Sequence, residues 1–429
     1  MSKRTTRQAS RIIKAMLAMT RRVTMLGISG WAGIGGSYRT VQRFFQTALP
    51  WATILWVFFR EHLWSKNEAY LLVGDEVVIT KADKKTYGVD RFFSSLYGKS
   101  LSGLSLFTIT LVSIQQRRSF PIKIEQRIKS ESPKTKASTE QATTAGAKNK
   151  GGRPKASKTK NKAQVSLSPE LLMIQGMIQS LLQLLNNFLP LTYLVLDGHF
   201  GNNATAVMTR QVNLHLISKL RHDSALYLPY QNPDPTRYCR RKYGEKLNYN
   251  AMAREFLKSS STTNQIQTDI YQAQMLHEEF AQPLNVVIII KTNLSTQARA
   301  WVILFSTDLD LAAEQIIDYY SLRFQIEFNF RDAKQFWGLE DFMNTSQTAV
   351  TNAFNFSFFL VNFSYYLLHH SEQFHPDSGV IDLKAHFRGY KYVEETIKLL
   401  AKKPEPVLLA QIFHRISCLG RVHPVSISS

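Results

Sequence analysis

The 429-residue chain is 44% hydrophobic and 11% aromatic, which excludes a disordered protein and leaves material for more than one domain. Its formal net charge of +21 calls for a polyanionic partner, either nucleic acid or an anionic membrane surface. Two cysteines, Cys239 and Cys418, exclude a disulfide framework and a four-cysteine zinc site and fit a reducing cytoplasm.

The first segment, 1–66, reads as helical and basic. Met1 to Arg60 carries ten Lys or Arg and no acid; Glu61 is the first carboxylate. The run Lys14–Met19 meets Arg21-Arg22 too early to serve as a secretory core. An apolar stretch, a break at Gly33-Ile34-Gly35-Gly36 and Ser37 as N-cap of a basic-aromatic helix spell a helix-turn-helix. Arg39 and Arg43 share one face of its second helix. A plain helical hairpin is the alternative, and the absence of acids favours DNA binding. Leu49–Phe59 is apolar but far shorter than the ~20 residues a bilayer needs.

From Tyr70 short apolar runs predict strands. Tyr70–Gly74 leads into Asp75, Val77–Thr80 continues, and Lys81–Lys85 reads as a polar stretch. Leu104–Ile114 and Ser119–Ile128 follow. Residues 129–166 form a basic loop: between 129 and 162 there are ten basic residues, two acids and no large apolar side chain, so disorder is expected. Inside it, Gly151-Gly152-Arg153-Pro154-Lys155 resembles the core of minor-groove hooks, with Arg153 entering a narrow A·T-rich groove. A solvated loop with general phosphate affinity is the alternative.

Ser168 is placed to cap a helix reaching about Asn187. Leu191–Leu196 reads as a buried strand ending at Asp197-Gly198. A helix over 202–212 and a strand over Leu214–Leu220 complete an α/β alternation with a partly parallel sheet. Residues 222–306 read as a long interruption of mixed character that fits an inserted subdomain, with strand-like apolar runs at 284–290 and 301–305. Leu311–Phe336 has helical periodicity, and 346–429 reads as a helical C-terminal region. Ser346–Leu368 is uncharged, but Asn352, Asn355, Ser357, Asn362 and Ser364 suit a helix buried in protein rather than lipid. No membrane partner is expected.

On one continuous helix Tyr320, Arg323, Glu327 and Lys334 fall within about 60° of each other, with Arg331 close by. A surface ladder of Arg323, Glu327 and Arg331 is the ordinary alternative. Asp75 and Asp197 each follow an apolar run, where a carboxylate projects at the end or edge of a sheet; a turn at Asp197-Gly198 and a solvent-facing Asp75 are the alternatives. Three carboxylates from separate elements suit two-metal phosphodiester chemistry, in which Mg²⁺ takes oxygen ligands and flanking cations hold the polyanion. His199 reads as structural rather than as a ligand, since Mg²⁺ prefers oxygen.

The spacing Tyr320-x2-Arg323-x3-Glu327-x6-Lys334 is identical to the Y-R-E-K signature of bacterial insertion-sequence DDE transposases, and residues 70–345 resemble that family. The resemblance implies an RNase H-like catalytic core over 67–345, interrupted by a β-rich insertion, with helical regions on either side. It implies that Asp75, Asp197 and Glu327 bind two Mg²⁺ ions, for which Mn²⁺ substitutes, and activate water and then a 3′-hydroxyl. Tyr320, Arg323 and Lys334 would meet phosphates near the transposon end, with Arg331 beside them. Trp301 resembles a strand tryptophan that stacks a flipped base, a core Trp being the alternative. The implied partners are double-stranded transposon ends and target DNA, with a homodimer in the synaptic complex, in the cytoplasm at the nucleoid. Two further readings are an RNase H-like nuclease that cuts without joining and a catalytically silent, transposase-derived DNA-binding protein. Retention of all three carboxylates argues against the silent one.

Overall fold

The computed structural model describes residues 1–94, 98–129, 162–163, 165–230 and 242–423. Most of the basic loop, including Arg153, lies outside the described residues, as does Cys239.

Four helices come first: α1 (Lys3–Ala18), α2 (Met25–Trp31), α3 (Tyr38–Gln46) and α4 (Trp51–His62). Ser2 and Thr24 cap α1 and α2 by accepting from the backbone of Thr5 and Gly27. The chain reverses between α2 and α3 through Gly33 and Gly35, both with left-handed φ values of 65° and 78°. Ser37 does precede α3, but its hydroxyl meets that of Thr40 at 3.1 Å and caps no backbone N–H.

The core then runs β1 (Tyr70–Thr80), β2 (Asp90–Ser94), β3 (Lys99–Ser113), β4 (Arg118–Arg127), α5 (Pro169–Leu185), β5 (Tyr193–Val195), α6 (Asn203–Gln211) and β6 (His215–Leu220). β1 is antiparallel to β3, and β3 to β4, as short connections allow. β5 pairs parallel with β1, and β6 parallel with β5. The order β4-β3-β1-β5-β6, with crossovers through α5 and α6, is an RNase H-like core in an α/β fold. Both faces are buried, and period-two alternation divides them: Leu71 and Val73 pack with α1, α3, α8 and α9 residues, Leu72 with those of α5 and α6.

The strands of the insertion are β7 (Leu226–Pro229), β8 (Tyr243–Lys246), β9 (Leu257–Thr263), β10 (Ile266–His277), β11 (Leu284–Asn293) and β12 (Arg299–Ser306). They make no separate sheet. β12 pairs antiparallel with β6, Ile303 opposite Leu220, and the order continues β12-β11-β10-β7-β8.

Five helices close the chain: α7 (Ala313–Leu322), α8 (Gln325–Phe336), α9 (Gln347–His369), α10 (Val380–Leu399) and α11 (Pro406–Cys418). The continuous helix expected over Leu311–Phe336 is instead two. Around Arg323 and Phe324 the bonds tighten, Phe324 N–H donating to Ser321 and Ile326 N–H to Arg323, so the 100° spacing does not run through the break. α9 is buried as its amides indicate. Asn352 donates to the carbonyls of Phe45 and Thr47 at 2.6 and 2.7 Å and accepts from Trp51 Nε1 at 2.7 Å. Asn362 donates to the Pro121 carbonyl at 2.8 Å, and Ser357 to that of Trp337 at 2.8 Å. Among the described residues no helix is long and apolar enough to cross a membrane.

The N- and C-terminal helices are locked together. Lys384 Nζ donates to the Met16 carbonyl at 2.8 Å and Arg388 Nε to that of Ala18 at 3.3 Å, so cations of α10 meet the C-terminal carbonyls of α1. The acids after α8 also reach back, Asp341 accepting from the Val23 N–H at 3.1 Å.

Candidate active site

Register brings the two aspartates side by side. Val73 of β1 lies opposite Val195 of the parallel β5, so Asp75 and Asp197, each two residues further on, leave neighbouring strands at one level. Asp75 does not end its strand; it sits within β1 and pairs with Thr108 of β3. The neighbouring β5 is short and stops at Val195, two residues before Asp197. Asp197 turns the chain into a 3-10 turn, Gly198–Phe200, accepting from the His199 N–H at 3.2 Å, while Ser218 Oγ holds its carbonyl at 2.7 Å.

Glu327 comes from α8 and Arg323 from the break before it. Arg323 Nη1 donates to Asp75 Oδ2 at 2.6 Å and Nη2 to Glu327 Oε1 at 3.4 Å. The guanidinium and Asp75 are mostly buried, with side-chain exposures of 17% and 15%, against 43% for Glu327. Burial pushes the Asp75 carboxyl up to about 6; Arg323 opposes the rise, and the Asp197 and Glu327 carboxylates add to it. Burial also works against the charge of Arg323, but Asp75, Tyr320, Glu327 and Asp197 together hold its pKa above the ordinary value. Tyr320 lies beneath the guanidinium at 6.0 Å, its hydroxyl pKa raised by burial. Arg323 Nε is buried and has no hydrogen-bond partner among the described residues.

The structure therefore brings Asp75, Asp197, Tyr320, Arg323 and Glu327 within electrostatic reach of each other. Among the described residues no three His, Cys, Asp or Glu side chains stand close enough to hold a metal ion as they are placed. The donor set is nonetheless all oxygen, and a cationic group already lies between two of its members, which fits a hard divalent cation.

Lys334, further along α8, is tied away from the carboxylates: Nζ donates to the Val78 carbonyl at 3.2 Å and pairs with Glu340 at 3.0 Å. Arg331 pairs with Asp332 at 3.0 Å and is otherwise largely exposed. Trp301 is not among the carboxylates' contacts. It stacks on Tyr249 within the insertion, centroids 5.7 Å apart, and donates to the His222 carbonyl at 2.9 Å. Arg39 and Arg43 are exposed on α3, and His199 is exposed beside Phe200.

Lys81 departs from its sequence reading. Placed in a polar stretch, it is buried, its Nζ donating to the Glu340 and Phe342 carbonyls at 2.9 Å each, so it fastens the end of β1 to the loop after α8. Alternation along β1 carried past Thr80 was the available signal, since Ile79 and Lys81 share its parity and both are buried.

Residues 1–281 match the sequence model of a family described as DDE superfamily endonuclease. The matched stretch holds Asp75 and Asp197 and ends before α7 and α8. No curated protein matches the chain.

Proposed function

Because this chain belongs to the DDE superfamily endonucleases, we propose that it is the transposase of a bacterial insertion sequence, binding the terminal inverted repeats, cutting at them and joining the ends to target DNA. One observation carries the reading: Arg323 links Asp75 to Glu327, so a glutamate beyond the matched stretch joins a matched aspartate through one guanidinium.

Asp75, Asp197 and Glu327 would hold two Mg²⁺ ions, or Mn²⁺ in their place. When bound, such a pair activates water or a 3′-hydroxyl and stabilises the leaving oxygen of an in-line displacement. The chain's own residues set the order of events. Arg323, with one buried nitrogen unpartnered among the described residues, turns from Asp75 to a phosphate oxygen when DNA arrives, which frees the carboxylates. Tyr320 supports that guanidinium. Lys334 exchanges Glu340 for phosphate. Arg39 and Arg43 present an acid-free face to duplex DNA, and Arg153 lies in a basic stretch suited to its backbone. Trp301, held against Tyr249, has a weaker claim on DNA. The partners in this reading are transposon ends and target DNA, brought together by a homodimer at the nucleoid, in the cytoplasm.

The test is an in vitro reaction on DNA carrying the inverted repeats that flank the gene, with Mg²⁺, for wild type and Glu327→Gln. The wild type is expected to cut and join. The variant is expected to bind as well and cut not at all. Equal cutting by both would remove Glu327 from the site, and cutting without joining would leave a nuclease.

A further inference from the structure

Beside α8 lies a hollow of about 390 Å³ whose walls include Arg117, Arg118, Phe328, Arg331, Tyr365 and His369. Its three arginines differ in what they hold. Arg117 pairs with Asp318 at 2.7 Å and donates to Ser321 at 3.2 Å. Arg331 pairs with Asp332 at 3.0 Å. Arg118, at the start of β4, makes no side-chain hydrogen bond or ion pair with a described residue; its guanidinium lies over the Tyr365 ring at 4.7 Å. Three guanidinium groups thus face two committed carboxylates, and one positive charge is left over.

That surplus is partly exposed and opens onto the hollow. Burial pushes the Arg118 pKa below its ordinary value, with Asp332 and Tyr365 only partly offsetting it. A guanidinium has five donors and no acceptor, so those of Arg118 stay open to an oxygen ligand entering the hollow. The walls around it are already set. Tyr365 bonds to Gln116 Oε1 at 3.1 Å and stacks on His369 at 3.9 Å, and the ring nitrogen Nδ1 of His369 meets the Tyr365 carbonyl at 2.9 Å. No carboxylate lines this hollow among the described residues. The adjoining one carries Asp332, Asp377 and Asp382, but Asp332 is taken by Arg331, Asp377 by His375 and Asp382 by the backbone of Gly379 and His423.

Position adds the ligand's identity. Arg331 is one helical turn from Glu327, about 6 Å along α8, and successive phosphates on one strand are about 3.4 Å apart along a duplex axis. Aromatic rings adjoin it: Phe328 lines the hollow with Arg331 over it at 5.0 Å, and Phe324, half exposed, meets Phe328 edge-on at 5.5 Å. Cations interleaved with exposed rings are how a nucleic-acid strand is gripped by phosphate and base together.

We propose that this hollow is a phosphate subsite, in which Arg118 and Arg331 seat a backbone phosphate of the strand passing Glu327. It rests on the DNA-cleaving reading above and adds a contact near the bond to be cut.

The experiment uses the full chain and a fluorescent DNA end with a single-stranded 3′ overhang, titrated across a salt series. In Arg118→Gln the slope of log K against log salt is expected to shrink by about 0.7–0.9, one phosphate contact, while Arg118→Lys keeps most of it. Arg331→Gln, at an exposed position, should shrink it likewise and covers the case in which Arg118→Gln does not fold. Inorganic phosphate should raise the melting temperature of wild type and not of Arg118→Gln. An unchanged slope in folded Arg118→Gln or, failing that, in Arg331→Gln overturns the proposal. A phosphate effect lost in Arg118→Gln with an unchanged DNA slope also overturns it, assigning the hollow to a free anion. Cleavage is read separately through Glu327→Gln, so either idea fails without the other.

Discussion

Arg323 is the counter-charge of its site. With Nη1 on Asp75 and Nη2 facing Glu327, it offsets the repulsion among carboxylates that burial would otherwise make severe. Arg323→Gln is expected to melt lower than wild type without divalent ions and to gain more in melting temperature when Mg²⁺ is added. Equal gains in the two proteins would show that the guanidinium and the cation do not compete. A second buried residue decides stability rather than chemistry. Asn352→Leu removes two donated bonds and strands the Trp51 indole N–H, so a loss of about 2–4 kcal/mol is expected from urea unfolding. The sequence marked Asn352 as a sign of burial, because amides scattered along an uncharged helix need protein partners. Its partner Trp51, 301 positions away, left no local trace.

At the level of elements, one short turn carries much of the site. Gly201, closing the turn that begins at Asp197, lies so close to β6 that a Cβ would stand 2.1 Å from the Lys219 carbonyl oxygen. Gly201→Ala must lift the turn and tilt Asp197, so cleavage should fall further than melting temperature does; a parallel fall in both would make the contact merely structural. The strands and most helices were legible because apolar runs and caps are local signals: Ser168 does accept from Leu171 N–H, and β5 does stop before Asp197. The break between α7 and α8 was not, because nothing in Leu322-Arg323-Phe324-Gln325 disfavours a helix. There Arg323 is drawn toward Asp75, a tertiary contact that outweighs propensity. The α10–α11 pair supplies a pH effect. Burial pushes His386 down to about 4, and the neighbouring Arg421 and His414 add to the fall. The unfolded chain then takes up this proton first, near 6.5, so the stability is complete above that value and drains away as pH falls toward 4. His386→Gln should flatten the melting curve across that window and leave it unchanged at higher pH.

For the whole molecule, charge and continuity matter most. Deleting residues 130–161 removes eight of the chain's 53 Lys and Arg, and should lower general DNA affinity and flatten its salt dependence. An unchanged slope would exclude that stretch from the DNA path. The described strands of the insertion extend the core sheet rather than forming one of their own, which no reading of their apolar runs could distinguish. The joining of the first helices to α9 and α10 has a consequence during synthesis. Phe44, Phe45 and Trp51 are covered by Phe356 and Asn352, which a ribosome making about 5–20 residues per second delivers roughly 15–60 s later. Until then those rings lack part of their cover and offer a target to chaperones. A message broken before codon 352 releases opening helices without α9 and α10 to close upon.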